Sequence, residues 1–498
     1  MGKPRYPLEM RGDHLVGEGC ADGAKRPYLH PMPGTSDSSI GPTAHLQALR
    51  RHFHSGATRP YAARRGALKA LKRAIQRHGE ALLAAMHADM RKPRFEAYMA
   101  DIGLVHAEID HALASLRDWM RPEGVPTPLA LWPANNSIHP RPLGVVLIIA
   151  PWNYPVALAL APLVGAIAAG NCAVVKPSED APHTAAVLEN IIAEAFCREH
   201  VAVVQGAGAE VVPPMLGDFR FDHVFFTGSP AVGRRVLAMA APQLVPVTLE
   251  LGGKSPAIVD RSANVDHAAK RIAWSKFFNA GQTCIATDHA LVHADVLDAF
   301  MAAMAKHTTA FFGEDPQRSP HFARLVNDKH FQRVARYLAE GRALFGGQVD
   351  AGERYIAPTL LTDVPLNGKV MHEEVFGPVL PVVPWKEPEE VLAVVARNPT
   401  PLALYVFSRN RTVQRRFTEH IAFGGGCINH CLLHFGNPQL PFSGVGTSGM
   451  GRYHGKRSFE VFSHLQGMVS ASRLLPEPGV QYPPYSTGKE KVMRWVMG

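Results

Sequence analysis

The 34 positions between Arg141 and Lys176 carry no charged side chain. A run of that length exceeds the roughly 20 apolar residues that span a bilayer as a helix. Pro142, Pro151, Asn153, Pro155, Pro162 and Asn171 interrupt it, however. A membrane span needs unbroken helix to satisfy its backbone, so these residues argue against one. The segment reads instead as a buried strand over Val145–Ile149, a buried helix over 156–169 and a buried strand over 172–175. Strand, helix and strand that are apolar all round mark a βαβ unit in a parallel sheet covered on both faces.

The alternation continues on both sides. Strand-like runs recur at 201–204, His223–Thr227 and 247–251, with helical spacing between them. That order predicts a doubly wound α/β domain. A second alternation follows, with strands near 290–293, 356–361 and Ala403–Phe407 and a helix over 387–397. Ahead of the first unit, Leu68, Leu71, Ile75, Leu82 and Met86 repeat at helical spacing, as do Ile102, Val105, Ile109 and Leu116. Pro122, Pro126, Pro128 and Pro133 then mark an extended connection.

Composition removes several function classes. The net charge is +9, but the positive residues are scattered and no aromatic-interleaved basic motif appears. Nucleic-acid binding is therefore not expected. Six cysteines in 498 residues do not make a disulfide framework, which suits a reducing cytoplasm. Residues 1–43 hold Pro, Gly, Ser and mixed charge without an apolar h-region, and read as a disordered extension or as the product of an upstream start codon.

Two short runs carry chemistry. Cys284 closes Phe278-Asn279-Ala280-Gly281-Gln282-Thr283-Cys284, and Glu250 opens Glu250-Leu251-Gly252-Gly253-Lys254 at a strand end. A thiolate can attack a carbonyl, and a carboxylate can deliver water to the thioester that follows. Taken alone, a free cysteine is most often buried and structural. Cys20, Cys172 and Cys197 are read that way.

A dinucleotide site is suggested by Thr227, Gly228, Ser229, Pro230, Ala231, Val232 and Gly233. They follow an apolar strand and lead into a helix, whose free N–H groups attract pyrophosphate. Two other motifs are decoys. Gly444-Val445-Gly446-Thr447-Ser448-Gly449 matches G-x-G-x-x-G but follows no strand and opens no helix. Cys427, His430, Cys431 and His434 place four soft ligands in eight residues, a spacing that invites a zinc reading.

Both chemical runs resemble the signatures of the aldehyde dehydrogenase superfamily. Pro142-Leu143-Gly144-Val145-Val146, Arg354-Tyr355-Ile356-Ala357-Pro358-Thr359 and Ser448-Gly449-Met450-Gly451-Arg452-Tyr453-His454-Gly455 resemble its class 3, the fatty and aromatic aldehyde dehydrogenases. The resemblance covers about 46–485. It implies two doubly wound α/β domains with a small β extension for oligomerisation. The cofactor domain maps to 44–250, with 131–142 in the extension, and the catalytic domain to 251–430. Residues 431–498 return to the cofactor domain, the oligomerisation strand and a tail.

The resemblance also implies roles. Cys284 is the nucleophile, Glu250 the base for the deacylating water, and Asn153 an oxyanion donor. Lys176 and Glu179 reach the adenosine ribose. Glu374 holds the nicotinamide ribose and Phe376 packs by the ring. The cofactor is NAD, with NADP tolerated. The implied reaction oxidises an aldehyde to its acid. An acylating or ester-hydrolysing relative, or a catalytically silent one, stands as the alternative. Thr287, His289 and Ser443 depart from the usual residues without touching a catalytic role, and His289 and Ser443 could change the local shape near the site. The resemblance implies no catalytic metal, so it leaves the cysteine–histidine run as strand and loop. A homodimer is implied. The tail 489–498 is too short for an integral membrane anchor.

Overall fold

The computed structural model describes residues 42–472, 474 and 479–497. Of the expected extension 1–43, only Pro42 and Thr43 fall within this range, where they open the helix Pro42–His54.

The uncharged run is strand, helix and strand. Val145–Ile149 and Cys172–Lys176 are buried at every position, and the helix Ala157–Ala169 joins them. That helix ends at Gly170, whose φ of 92° is a left-handed cap that favours glycine. Its first turn, Val156 N and Ala157 N, donates to Asp101 Oδ1 at 3.1 and 3.0 Å. A carboxylate there satisfies two N–H groups that have no partner within the helix.

Six strands form the first sheet, in the order Gly449–Met450, Val247–Glu250, His223–Thr227, Val145–Ile149, Cys172–Lys176 and Val201–Val203. All pair parallel except Gly449–Met450, which runs antiparallel beside Val247–Glu250. The glycine-rich decoy thus supplies an edge strand. Seven strands form the second sheet, from Arg342–Phe345 through Thr359–Thr362, Val379–Trp385, His289–His293, Pro256–Val259 and Ala403–Phe407 to Gly425–Ile428. Only the outer pair with Arg342–Phe345 is antiparallel. A third sheet is small and antiparallel. Asn135–Pro142 lies between Glu123–Val125 and Ser463–Ser470.

The helices Tyr61–Arg77, Gly79–Met90 and Gly103–Trp119 bury their expected stripe. Leu68, Leu71, Ile75, Leu82, Met86, Val105, Ile109 and Leu116 are all fully buried. Local differences from the sequence reading have physical causes. The single strand expected over 356–361 is two, Tyr355–Ile356 and Thr359–Thr362. Pro358 between them has no N–H for a ladder. The prolines at 122–133 do not keep that connection free of structure, since Glu123–Val125 pairs with the next strand. The C-terminal tail forms a helix, Thr487–Met497, with Trp495 and Met497 exposed. No helix among the described residues is long and apolar enough to cross a membrane.

Candidate active site

Carboxyl ends of four neighbouring strands come level at one edge of the first sheet. Ile149 pairs with Lys176 and with Phe226, and Thr227 pairs with Glu250. Open α/β sheets bind their ligands beyond such an edge. Here that space is a cavity of about 490 Å³. Asn153, Thr227, Gly228, Ser229, Pro230, Glu250, Cys284, Glu374 and Phe376 all line it. Lys176, Glu179, Ala231, Val232 and Gly233 do not. Much of the remaining wall is apolar, from residues such as Met99, Leu158, Trp274, Phe435 and Phe442.

Backbone strain sets the thiol in place. Asn279 and Ala280 both have φ of 51°, and Gly281 has φ of 75°. Such a run survives only where its surroundings over-determine it. Asn279 N donates to Glu96 Oε2 at 3.0 Å. The Gln282 amide nitrogen donates to the carbonyls of Asn279 and Arg324 at 3.1 and 3.0 Å, and its oxygen accepts from Val326 N at 3.0 Å. Thr283 Oγ1 shares a hydrogen bond with Tyr154 Oη at 2.5 Å. Cys284 itself is partly exposed, facing the cavity.

Burial disfavours the charged forms of the site's acids. Burial pushes the Cys284 thiol up to about 12, and the Glu374 and Glu250 carboxylates add to the rise. Burial also lifts Glu250 well above the usual carboxylate range. The nearby Ser443 hydroxyl opposes that rise, yet among the described residues neither Glu250 oxygen nor Ser443 Oγ has a hydrogen-bond partner. Ser443, one of the positions that depart from the usual residues, lies beside Glu250. Glu374 is pushed up to about 8, first by burial and then by Asp288.

The loop that would hold a dinucleotide suits one. Ser229 caps the helix Pro230–Ala240, its hydroxyl accepting from Val232 N at 3.4 Å. Thr227 Oγ1 is buried without a partner, beside the first free N–H groups of the helix. A Cβ on Gly228 would lie 2.6 Å from the Phe226 ring, and one on Gly233 would lie 2.7 Å from Leu251 Cδ2. Only glycine lets this helix start sit so close to the sheet. Lys176 is buried and ion-paired with Glu179, whose Oε1 accepts from Gly208 N at 2.8 Å. Burial alone would raise the Glu179 carboxyl, but Lys176 and the Gly208 N–H hold it below its usual value. Phe376, at φ of 45°, meets Trp152 edge to face at 5.4 Å.

Several site residues carried no sequence signal. Lys92, Asp101 and Arg333 are ordinary residue types outside any expected motif, and Tyr154 lies in the Pro151-Trp152-Asn153-Tyr154-Pro155 run of Asn153 without a role of its own expected there. Arg333 lines the cavity and donates to the carbonyls of Glu374 and Val375 at 2.9 and 3.1 Å. At the cysteine–histidine run, Cys427 Sγ lies 3.6 Å from His434 Nδ1, and Cys431 is buried against Thr287 at 3.8 Å. Among the described residues no group of three or more His, Cys, Asp or Glu could hold a metal ion.

A parallel α/β sheet whose carboxyl edge gathers a thiol, a buried carboxylate and a phosphate-type helix start has clear relatives. The family model of the aldehyde dehydrogenase family matches residues 43–467. The 4,4'-diaponeurosporen-aldehyde dehydrogenase of Staphylococcus aureus is 44% identical over 444 residues, covering 89% of this chain and 96% of that protein. Aldehyde dehydrogenase family 3 member B1 of Homo sapiens is 43% identical over 454 residues, covering 90% and 96%. A solved substrate-bound state of the Staphylococcus aureus enzyme AldH superposes with a TM-score of 0.89 at 43% identity, covering 91% of this chain and 99% of that one. The chain belongs to the aldehyde dehydrogenase family, with relatives among its family 3 members. It is an oxidoreductase that acts on aldehydes.

Proposed function

We propose that this chain oxidises a medium or long aliphatic, or aromatic, aldehyde to its carboxylic acid through a thioester on Cys284, using NAD in preference to NADP. The observation that carries the reading is the convergence of Cys284, Glu250 and Asn153 on one cavity with 227–230. Cys284 attacks the carbonyl carbon as its thiol proton passes to water in the cavity, because a thiol held at about 12 is not a thiolate at neutral pH. The side-chain amide of Asn153 donates to the oxygen that becomes negative. The chemistry asked of a bound dinucleotide is acceptance of the hydride that leaves the adduct carbon. Thr227 to Gly233 would hold its pyrophosphate, Lys176 and Glu179 its adenosine ribose, and Glu374 and Phe376 its nicotinamide half.

Glu250 then accepts a proton from water as that water attacks the thioester, releasing the acid. Burial makes Glu250 a stronger base once ionised, since the same environment that raises its pKa strengthens its hold on a proton. The apolar wall supports an apolar aldehyde, as does the 4,4'-diaponeurosporen-aldehyde that names one relative. The halves built on the two large sheets would be the cofactor and catalytic domains. Leu465, Met468 and Val469 are exposed on the strand Ser463–Ser470, which supports a homodimer formed through the small sheet. Cys172, Cys284, Cys427 and Cys431 are free thiols, which fits a cytoplasmic setting.

A panel of aldehydes graded by chain length, followed by NADH and NADPH absorbance, tests the reading. Saturable reduction of NAD with long aliphatic or aromatic aldehydes, and acid as product, is expected. Activity confined to short polar aldehydes would overturn the substrate class.

A further inference from the structure

We propose that Lys92 is a positioning residue for Asn153, clamping the backbone carbonyl of Asn153 so that its side-chain amide stays directed at the reacting oxygen. This rests on the oxyanion role of Asn153 given above. Lys92 is fully buried, far from any surface that would explain a cation. Its ammonium donates to Asp101 Oδ2 at 2.7 Å and to the carbonyl of Asn153 at 2.9 Å, and lies 4.0 Å from the centre of the Tyr154 ring. Asn279 Nδ2 donates to the same carbonyl at 3.0 Å. A carbonyl oxygen has two lone pairs, so both are taken. The Asn153 backbone cannot turn without breaking two buried hydrogen bonds.

The far ends of this clamp are fixed. Asp101 is also fully buried and caps the helix Ala157–Ala169 through its other oxygen. It sits in the π-turn Tyr98–Ile102, which directs Asp101 inward while Met99 and Ala100 line the cavity. Asn279 belongs to the strained loop that presents Cys284. Asn153 Nδ2 donates to the Gln282 carbonyl at 3.1 Å in that loop. Oxyanion donor and nucleophile are thereby held to one another through Lys92, Asn153 and Asn279. A buried ion pair adds little net stability, which leaves conformational specificity as the use for this one.

The test is a double-mutant cycle on the full chain. Lys92→Met is paired with Asp101→Asn, so that no lone charge is buried. Asn153→Ala should lower kcat by about 10²–10³, the loss seen when one oxyanion donor is removed. Lys92→Met/Asp101→Asn should lower kcat by about tenfold to hundredfold, as a misplacement near 1 Å does, with aldehyde KM and dinucleotide affinity near wild type. In the Asn153→Ala background the same pair of changes should have no further effect on kcat. Lys92→Gln/Asp101→Asn keeps a buried donor and should recover part of kcat. If the methionine variant does not fold, this glutamine variant carries the same cycle with a smaller effect. Equal losses with and without Asn153, or no recovery with glutamine, overturn the proposal. Wild-type turnover in Asn153→Ala overturns the oxyanion reading and the positioning role with it.

Discussion

Gly281 lies against Gly377 so closely that a Cβ on Gly281 would sit 2.2 Å from the Gly377 carbonyl oxygen. The first residue belongs to the nucleophile run and the second to the run of Glu374 and Phe376. Backbone contact between them fixes the thiol relative to the loop proposed to hold the nicotinamide half of a dinucleotide. Gly281→Ala meets that oxygen and the Lys276 carbonyl, at 2.9 Å, with a backbone at φ of 75°. Neither neighbour is a flexible side chain. The substitution should destabilise by roughly 1–3 kcal/mol from overpacking, with strain at the left-handed residue adding on the order of 1 kcal/mol. The thermal unfolding midpoint checks this; an unchanged midpoint would show that the loop relaxes freely.

Cys284→Ala should abolish aldehyde oxidation while dinucleotide binding persists. Among the described residues no other thiol lines the cavity, so none of them replaces the covalent step. Purified variant with undiminished turnover would sink the thioester mechanism.

Cofactor choice is predicted to follow Glu179. Its carboxylate is half exposed beside Lys176, where a ribose 2′-OH can donate to it and a 2′-phosphate is repelled. Glu179→Gln should shift the kcat/KM ratio toward NADP by roughly tenfold, the effect of relieving about 1.4 kcal/mol of repulsion. A ratio that does not move would separate Glu179 from cofactor choice.

Acid should weaken the fold through buried histidines. Burial depresses His223 to about 4 and His454 to about 3, against an ordinary value of 6.5. Above pH 6.5 both rings are neutral in the folded and unfolded chains, so they add no pH dependence. As pH falls from about 6.5 toward 4, the unfolded chain binds protons that the folded one refuses, and stability drops. His223→Gln should flatten the fall of unfolding midpoint over that window. An identical slope in the variant would assign the acid sensitivity to other groups.

Much of this architecture was legible in the residues. An uncharged run punctuated by prolines leaves few options besides buried strand, helix and strand, and the structure has them. The strand Val379–Trp385 was hidden because Pro381 and Pro384 sit inside it, although it lies within the sheet between two partners. The glycines of 228–233 were readable because close packing and a helix start demand them. Lys92 was not, because its role depends on Asp101, Asn153 and Asn279 meeting in space, and a lone lysine before a proline signals nothing.

Glu250→Gln should separate the two halves of the reaction. The carboxyl is buried, and burial raises its pKa well above the usual carboxylate range. A glutamine amide of the same shape should therefore leave the fold intact. Attack on the aldehyde needs Cys284 and an oxyanion donor, and Glu250 is neither. Hydrolysis of the thioester needs a base within reach of water, and an amide cannot accept that proton. Rapid mixing should show a burst of NADH of up to one equivalent per site, followed by turnover slowed by about 10²–10⁴. Mass spectrometry should find the acyl group on Cys284. Wild-type steady-state turnover would remove Glu250 from deacylation. A lost burst with dinucleotide still bound would place Glu250 earlier, as the acceptor of the Cys284 proton. That outcome is chemically reasonable for a thiol held at about 12, so the amplitude of the burst decides between the two roles.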